Sequence, residues 1–298
     1  MLVINDNNTM QTQTTEQKET SSYLNAPAIP NLAAIKIKQK ATWESGDFGQ
    51  IAHSIENFAT DFMARQPMWV GARVLDVACG TGNLAVLAAR EGCQVCGVDI
   101  AANLLAQART RASEAGLTIE FTEGDAEALP YANDRFDLAV SMFGVMFTPQ
   151  PIVATAELWR VTKRGGRIAL ANWTPEGFIG KMFQVFKKHL PPPPPGVPSP
   201  MEWGCEPIVQ QRLKNGFADV RLTRRAAKMC YPFSPAETVE FFRKYYGPTL
   251  RAFESLPAAS QAALRHDLVE LQTWYNTATV PGTTEVNAEY LEVVATKI

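Results

Sequence analysis

Val74-Leu75-Asp76-Val77-Ala78-Cys79-Gly80-Thr81-Gly82 is the stretch on which the reading of this chain turns. Arg73–Ala78 is a short apolar strand with one carboxylate, Asp76, set inside it. A Gly-x-Gly turn follows at once. Glycine is needed where the backbone turns sharply and a ligand approaches with no Cβ in the way. Leu84, Leu87 and Ala88 then mark a helix that Gly92 is placed to end. The start of that helix offers free amide hydrogens to a negative group. Asp76 sets a carboxylate beside it, where it can balance a ligand amine.

Working outward, the chain alternates strand and helix. Gln94–Val98 is a second strand, Ala102–Ala115 a helix stopped by Gly116, and Thr118–Thr122 a third strand. Phe136–Ser141 is a fourth. A helix over Ile152–Thr162, a turn at Gly165-Gly166 and a fifth strand, Arg167–Asn172, complete the run. Strands separated by helices of this length pair in parallel, with right-handed crossovers and helices on both faces. Ligands of such sheets sit beyond the carboxyl ends of the strands, where strand order reverses.

Three further segments end at that edge. Val95-Cys96-Gly97-Val98-Asp99 closes the second strand with a carboxylate that can accept both hydroxyls of a ribose. Gly124-Asp125-Ala126-Glu127-Ala128-Leu129-Pro130 follows the third, and Asp125 there can accept from an adenine amino group. Phe136-Asp137 opens the fourth, whose far end brings Ser141 to the same crevice; Asp137 reads as a structural residue near a turn.

Outside this run the signals thin. Residues 1–30, rich in Asn, Thr, Gln and Glu, read as a disordered tail, leaving 31–298 as one domain. Residues 49–64 read as one helix with Ile51, Ile55, Phe58 and Phe62 at helical spacing. After residue 173 comes a helix-like stretch, and then Pro191–Pro195, which is extended and reads as a rigid connector. Helix Glu206–Asn215, strand Asp219–Arg225, a helical region 235–277 and a strand Tyr290–Thr296 follow. The core is thus expected at 72–173, 206–231 and 286–298. The inserts 174–205 and 232–285 form a helical lid over the acceptor side. Their aromatic residues Trp203, Phe241, Phe242, Tyr245 and Trp274 point to an apolar or aromatic small molecule.

Composition bounds the function. With 298 residues, 28 Lys+Arg against 30 Asp+Glu and a net charge of -2, the chain can bury a real core but lacks the basic excess of a nucleic-acid coat. It has no apolar run long enough for a membrane span and no basic, apolar leader, so the expected compartment is the cytosol. Five cysteines do not form a disulfide framework. Cys93-x-x-Cys96 has zinc-like spacing without a second pair and reads as buried thiols, so no metal is expected.

In this order, D-x-x-C-G-T-G, an acidic second-strand end, G-D-A-x-x-L-P and F-D resemble the class I S-adenosylmethionine-dependent methyltransferases. The likeness is nearest to the small-molecule branch that includes ubiquinone- and menaquinone-biosynthesis enzymes, and covers about residues 72–173. It implies a Rossmann-like α/β fold: a seven-stranded sheet, parallel except for an antiparallel terminal strand. It also implies S-adenosylmethionine as co-substrate and O- or C-methylation of a small acceptor. By the same resemblance Gly80 and Gly82 lie under the methionine portion, Ala78 and Thr81 are among the cofactor-binding residues, and Asp76 helps hold the amino group. Asp99 takes the ribose hydroxyls and Ile100 flanks the adenine. Asp125, with the Ala126 amide beside it, reads the adenine amine, and Ser141 lines the methionine end. Trp43 and Phe48 are candidates for the aromatic residues such enzymes carry before the first strand. The turn Ser141-Met142-Phe143-Gly144 lacks the Asn/Asp-Pro-Pro-aromatic pattern of base methylation, which again disfavours nucleic acid.

Two other functions fit parts of this pattern. Gly80-x-Gly82-x-x-Ala85 meets the loose dinucleotide fingerprint of an NAD(P)-dependent oxidoreductase. Asp76 under the loop would repel its pyrophosphate, and the G-D-A-E-A-L-P segment is then unaccounted for. The other rival is a non-catalytic S-adenosylmethionine-binding protein. No catalytic residue is assigned: His53 and His266 are candidate bases, and His189 has no firm place.

Overall fold

The computed structural model describes residues 31–298; the expected N-terminal tail lies outside them. Its central strand, β1 (Arg73–Val77), is buried from Val74 to Val77, as parallel strands covered on both faces are. It pairs in parallel with β2 (Gln94–Asp99) on one side and β4 (Phe136–Met142) on the other. β3 (Ile119–Glu123) adds to β2, and β5 (Thr162–Trp173) to β4. β7 (Thr284–Lys297) is antiparallel both to β5 and to the edge strand β6 (Phe217–Tyr231). The order β3-β2-β1-β4-β5-β7-β6 is a seven-stranded sheet with one antiparallel strand, as expected. Strand order reverses at β1, so the crevice opens at the carboxyl ends of β1 and β4.

Helices α4 (Asn83–Arg90), α5 (Ala102–Glu114) and α6 (Pro151–Val161) are the crossovers. α7 (Phe178–His189) and α8 (Glu206–Leu213) lie between β5 and β6. Between β6 and β7 come α9 (Pro235–Tyr245), α10 (Gly247–Glu254) and α11 (Ala258–Tyr275). α9 starts on a capping box, in which Ser234 and Glu237 satisfy each other's backbone amides. No described helix is long and apolar enough to cross a membrane.

Several boundaries differ from the sequence reading. The expected helix 49–64 is two, α2 (Phe48–Ser54) and α3 (Glu56–Ala64), because Ile55 leaves helical geometry at φ -120°, ψ 17°. The helical region 235–277 is three helices; Pro at the starts of α9 and α10 and Pro257 before α11 set the breaks. Gly165 and Gly166 do not end a strand: β5 runs through them with a register shift against β4. β6 and β7 are also longer than read. They pair with each other along nearly their full length, broken by one bulge between Ala218 and Arg221, a non-local gain that periodicity does not show. Sequence reading missed α1 (Leu32–Trp43), which has no buried residue and so no apolar stripe to detect.

Candidate functional site

One cavity of about 510 Å³ opens at the carboxyl edge of the sheet, a size suited to a small ligand. The floor is the β1–α4 turn. Ala78, Gly80 and Gly82 all have positive φ (55°, 53° and 81°), and Ala78 does so with a side chain, at a cost of about 1–2 kcal/mol. Such strain concentrates where a site over-determines the backbone. Gly80 faces the cavity, and a Cβ there would stand 3.5 Å from the Phe48 ring.

Asp99, at the end of β2, fastens this turn. Its Oδ2 accepts from the Gly80 amide at 2.8 Å and its Oδ1 from the Ala101 amide at 2.9 Å. Burial raises its pKa, and the amide hydrogen bonds oppose the rise. Asp76 is buried beneath the turn and accepts one hydrogen bond, from the Ala85 amide at 3.0 Å. Burial pushes its carboxyl up to about 8, the single amide bond only partly offsets this, and the Asp99 charge adds to it. A buried acid facing a cavity with one partner is a place for a cationic ligand group.

Asp125, after β3, is half-buried. Its Oδ2 lies 2.6 Å from Lys36 Nζ and its Oδ1 accepts from the Glu127 amide at 2.8 Å. Lys36 also meets Glu127. Burial opposes its charge, but the two carboxylates hold the ammonium above its ordinary pKa. Lys40, one turn on in α1, donates to the Ile100 carbonyl and to Glu123, both at 2.7 Å, and Gln39 donates to the Phe147 carbonyl at 2.8 Å. These polar links hold α1 as one wall of the cavity. Trp43 at its end packs edge-on to Phe48 (5.8 Å), Phe147 (5.0 Å) and Tyr246 (5.9 Å).

Of the residues singled out in the sequence, Asp76, Ala78, Gly80, Thr81, Asp99, Ile100, Asp125, Ala126, Trp43 and Phe48 line this one cavity. Gly82 and Ser141 do not. A Cβ on Gly82 would meet Phe121 and Ala108 behind the turn, so that glycine serves the bend itself. Ser141 is fully buried, and its hydroxyl accepts from the Val145 amide, shaping the loop after β4. Asp137 is structural, as read: it accepts from the Arg73 amide at 2.8 Å.

The remaining wall was not foreseen. It comes from α1 and α2 (Lys36, Lys40, Ala52, Ile55) and from the loop after β4 (Met142, Phe143, Gly144, Phe147). None of the lining side chains belongs to 174–205 or 232–285. Trp203 is packed in the core, Phe242 is buried, Phe241 and Tyr245 meet at a tilt in a half-buried aromatic cluster, and Trp274 is 85% exposed. The insert instead backs the wall, through Tyr246 behind Trp43 and Phe183 behind Phe147. No histidine lines the cavity. His53 is exposed beside Glu56, His189 pairs with Asp267, and His266 is exposed beside Glu270. Cys93 and Cys96 are buried and take different partners, the Trp69 carbonyl and Glu120.

The β4 loop and the β1 turn touch at Gly144. A Cβ there would lie 2.5 Å from Ala78 Cβ and 2.8 Å from the Ala78 carbonyl oxygen. Gly144→Ala is therefore expected to destabilise the protein by about 1–3 kcal/mol. A drop in the urea midpoint at unchanged m-value checks this; an unchanged midpoint refutes the contact.

Comparison with known proteins bears on what this architecture is for. A family model described as a methyltransferase domain matches residues 74–166. An uncharacterised protein of Mycobacterium tuberculosis is 36% identical over 233 residues, 77% of this chain and 85% of that protein. The demethylmenaquinone methyltransferase of Deinococcus radiodurans is 36% identical over 138 residues, 45% of this chain and 56% of that protein. A crystal structure named as a methyltransferase from Bacillus halodurans has a TM-score of 0.54 at 18% identity, covering 80% of this chain and 98% of that one, which shows a shared fold. With its seven-stranded sheet and the acidic ends of β1, β2 and β3 around one glycine turn, the chain carries a methyltransferase domain over residues 74–166 and resembles the class I S-adenosylmethionine-dependent methyltransferases, those of quinone biosynthesis among them.

Proposed function

We propose that the cavity binds S-adenosylmethionine and that the protein transfers its methyl group to a small apolar or aromatic acceptor, at oxygen or carbon. The observation that carries this is the convergence of Asp76, Asp99 and Asp125 on one cavity around Gly80. Asp76 takes the amino group, Asp99 the ribose hydroxyls through lone pairs its two amide bonds leave free, and Asp125 with the Ala126 amide the adenine edge. Ile100 flanks the ring.

The donor brings a sulfonium that already activates the methyl, and the reaction is an in-line displacement. What the chain supplies is alignment, which is worth several kcal/mol of barrier. The glycine turn fixes the donor end. Trp43, Phe48 and Phe147 offer electron-rich faces to positive charge and exclude water. The same rings and Met142, Phe143 and Ile55 make the acceptor wall apolar. The chain has net charge -2 and five unpaired cysteines, which fits a small-molecule enzyme in a reducing, cytosolic setting rather than a nucleic-acid modifier.

Calorimetric titration with S-adenosylhomocysteine and separately with NADH tests the first step. Binding of the first alone is expected, with a raised melting temperature. Binding of NADH instead overturns the reading. Labelled methyl transfer to a panel of phenols, hydroquinones and enolisable ketones tests the second. Tight S-adenosylhomocysteine binding with no transfer to any of them turns the assignment to a binding protein without turnover.

A further inference from the structure

Behind the glycine turn lies an arginine that the sequence reading passed over. Arg111 sits on α5 outside the cavity, with its side chain one-third exposed. Its Nη1 donates to the Thr81 carbonyl at 2.9 Å, the Thr81 hydroxyl at 3.2 Å and Asn83 Oδ1 at 2.6 Å. Its Nη2 donates to Glu56 Oε1 at 2.9 Å, at the first residue of α3. The Asn83 amide continues the chain of bonds, donating to the Ala52 carbonyl on α2 at 2.9 Å. Thr81, Asn83 and Ala52 all line the cavity; Glu56 and Arg111 do not.

One guanidinium therefore joins the floor of the cavity directly to the start of α3 and, through Asn83, to α2, which contributes Ala52 to the cavity wall. The planar fork of arginine makes this a fixed geometry rather than a point attraction. A trans peptide places its C=O and N–H on opposite sides. Holding the Thr81 carbonyl outward turns the Gly82 amide inward, where it donates to the Cys79 carbonyl at 2.8 Å and closes the bend. Gly82 itself has positive φ, a conformation glycine adopts freely and leaves as freely, so the bend needs an outside constraint.

We propose that Arg111 is a positioning residue. It fixes the Gly80–Gly82 turn for the methyl donor and, through Glu56, couples occupancy of that turn to α3 behind the cavity. The inference rests on the reading of the cavity as the donor site. It assigns the two arms of the guanidinium separate tasks: Nη1 sets donor affinity, and Nη2 transmits donor binding to α3.

The probe is S-adenosylhomocysteine on the full-length protein, well below its melting temperature. Arg111→Met is expected to weaken binding about tenfold, with Arg111→Lys recovering part of the loss through its single ammonium nitrogen. Glu56→Ala is expected to bind within twofold of the parent. Hydrogen exchange separates the arms. In the parent, ligand slows exchange both in the 79–84 turn and in α3, whose residues 57–63 do not line the cavity. In Glu56→Ala, turn protection persists and α3 protection is lost. A merely structural arginine lowers the melting temperature and leaves affinity and protection pattern unmoved. The proposal is overturned by parent-like affinity in Arg111→Met, or in Arg111→Lys if the Met variant does not fold. Retained α3 protection in Glu56→Ala also overturns it. A parent protein that binds no S-adenosylhomocysteine removes the donor-site reading itself, and the inference with it.

Discussion

Asp99→Ala is expected to lower the affinity for S-adenosylhomocysteine by about 1.5–3 kcal/mol, or roughly 10- to 150-fold. The reason is twofold. The carboxylate is a structural clamp, holding the Gly80 and Ala101 amides at 2.8 and 2.9 Å. Its remaining lone pairs are those assigned to the ribose. Removal frees the turn and deletes the ligand contacts together. Asp99→Asn should be nearly as harmful, because its amide nitrogen would point a donor at one of two backbone donors. Isothermal titration of the folded variants reads this directly. Affinity within twofold of the parent in the alanine variant would place the ribose elsewhere.

The second large effect concerns protons. Burial leaves Asp76 with a pKa of about 8 in the ligand-free protein, against 3.8 for a free carboxyl, so at neutral pH it is largely uncharged. An amino group bound beside it favours the carboxylate. Binding below pH 8 must therefore release a proton, at a cost of about 1.4 kcal/mol per pH unit. Affinity for S-adenosylhomocysteine is expected to rise from pH 6 to 8 by up to about tenfold per unit and then level off. Asp76→Asn should flatten that profile and weaken binding most at pH 8. Titrations in buffers of different ionisation enthalpy count the proton. A flat profile in the parent contradicts the assignment.

The same shift acts with opposite sign on the empty protein. The folded-state pKa is raised, so the contribution of neutral Asp76 to stability is complete below 3.8 and is lost as pH rises through about 8. Ligand reverses that loss. Apo-protein stability and donor affinity should thus move in opposite directions over pH 4–8. Asp76 also divides the two cofactor readings, since a pyrophosphate gains from its neutralisation where an amine loses.

Three segments show how far the sequence could be read. Asp76, Asp99 and Asp125 were legible because a parallel sheet brings the carboxyl ends of its strands to one edge, so position along each strand already fixes proximity. Gly80 and Gly82 were both legible as a turn, but not their division of labour. Gly80 faces the cavity, and Gly82 has its back to Phe121. Ser141 sat at the right end of the right strand and still turned its hydroxyl into the following loop.

The sequence by itself determined the alternation of strands and helices, the sheet edge where the cavity opens and the acids that reach it. All of these follow from local periodicity and chain connectivity. Only the tertiary structure decided what closes the cavity. α1 has no apolar face and is held by Lys36 and Lys40 against carboxylates and a carbonyl 60 to 89 residues away. The aromatic inserts, read as an acceptor-side lid, pack behind the cavity wall instead. The charge state of Asp76 likewise belongs to the fold, because a pKa depends on how much water the surrounding chain removes, and no local pattern carries that quantity.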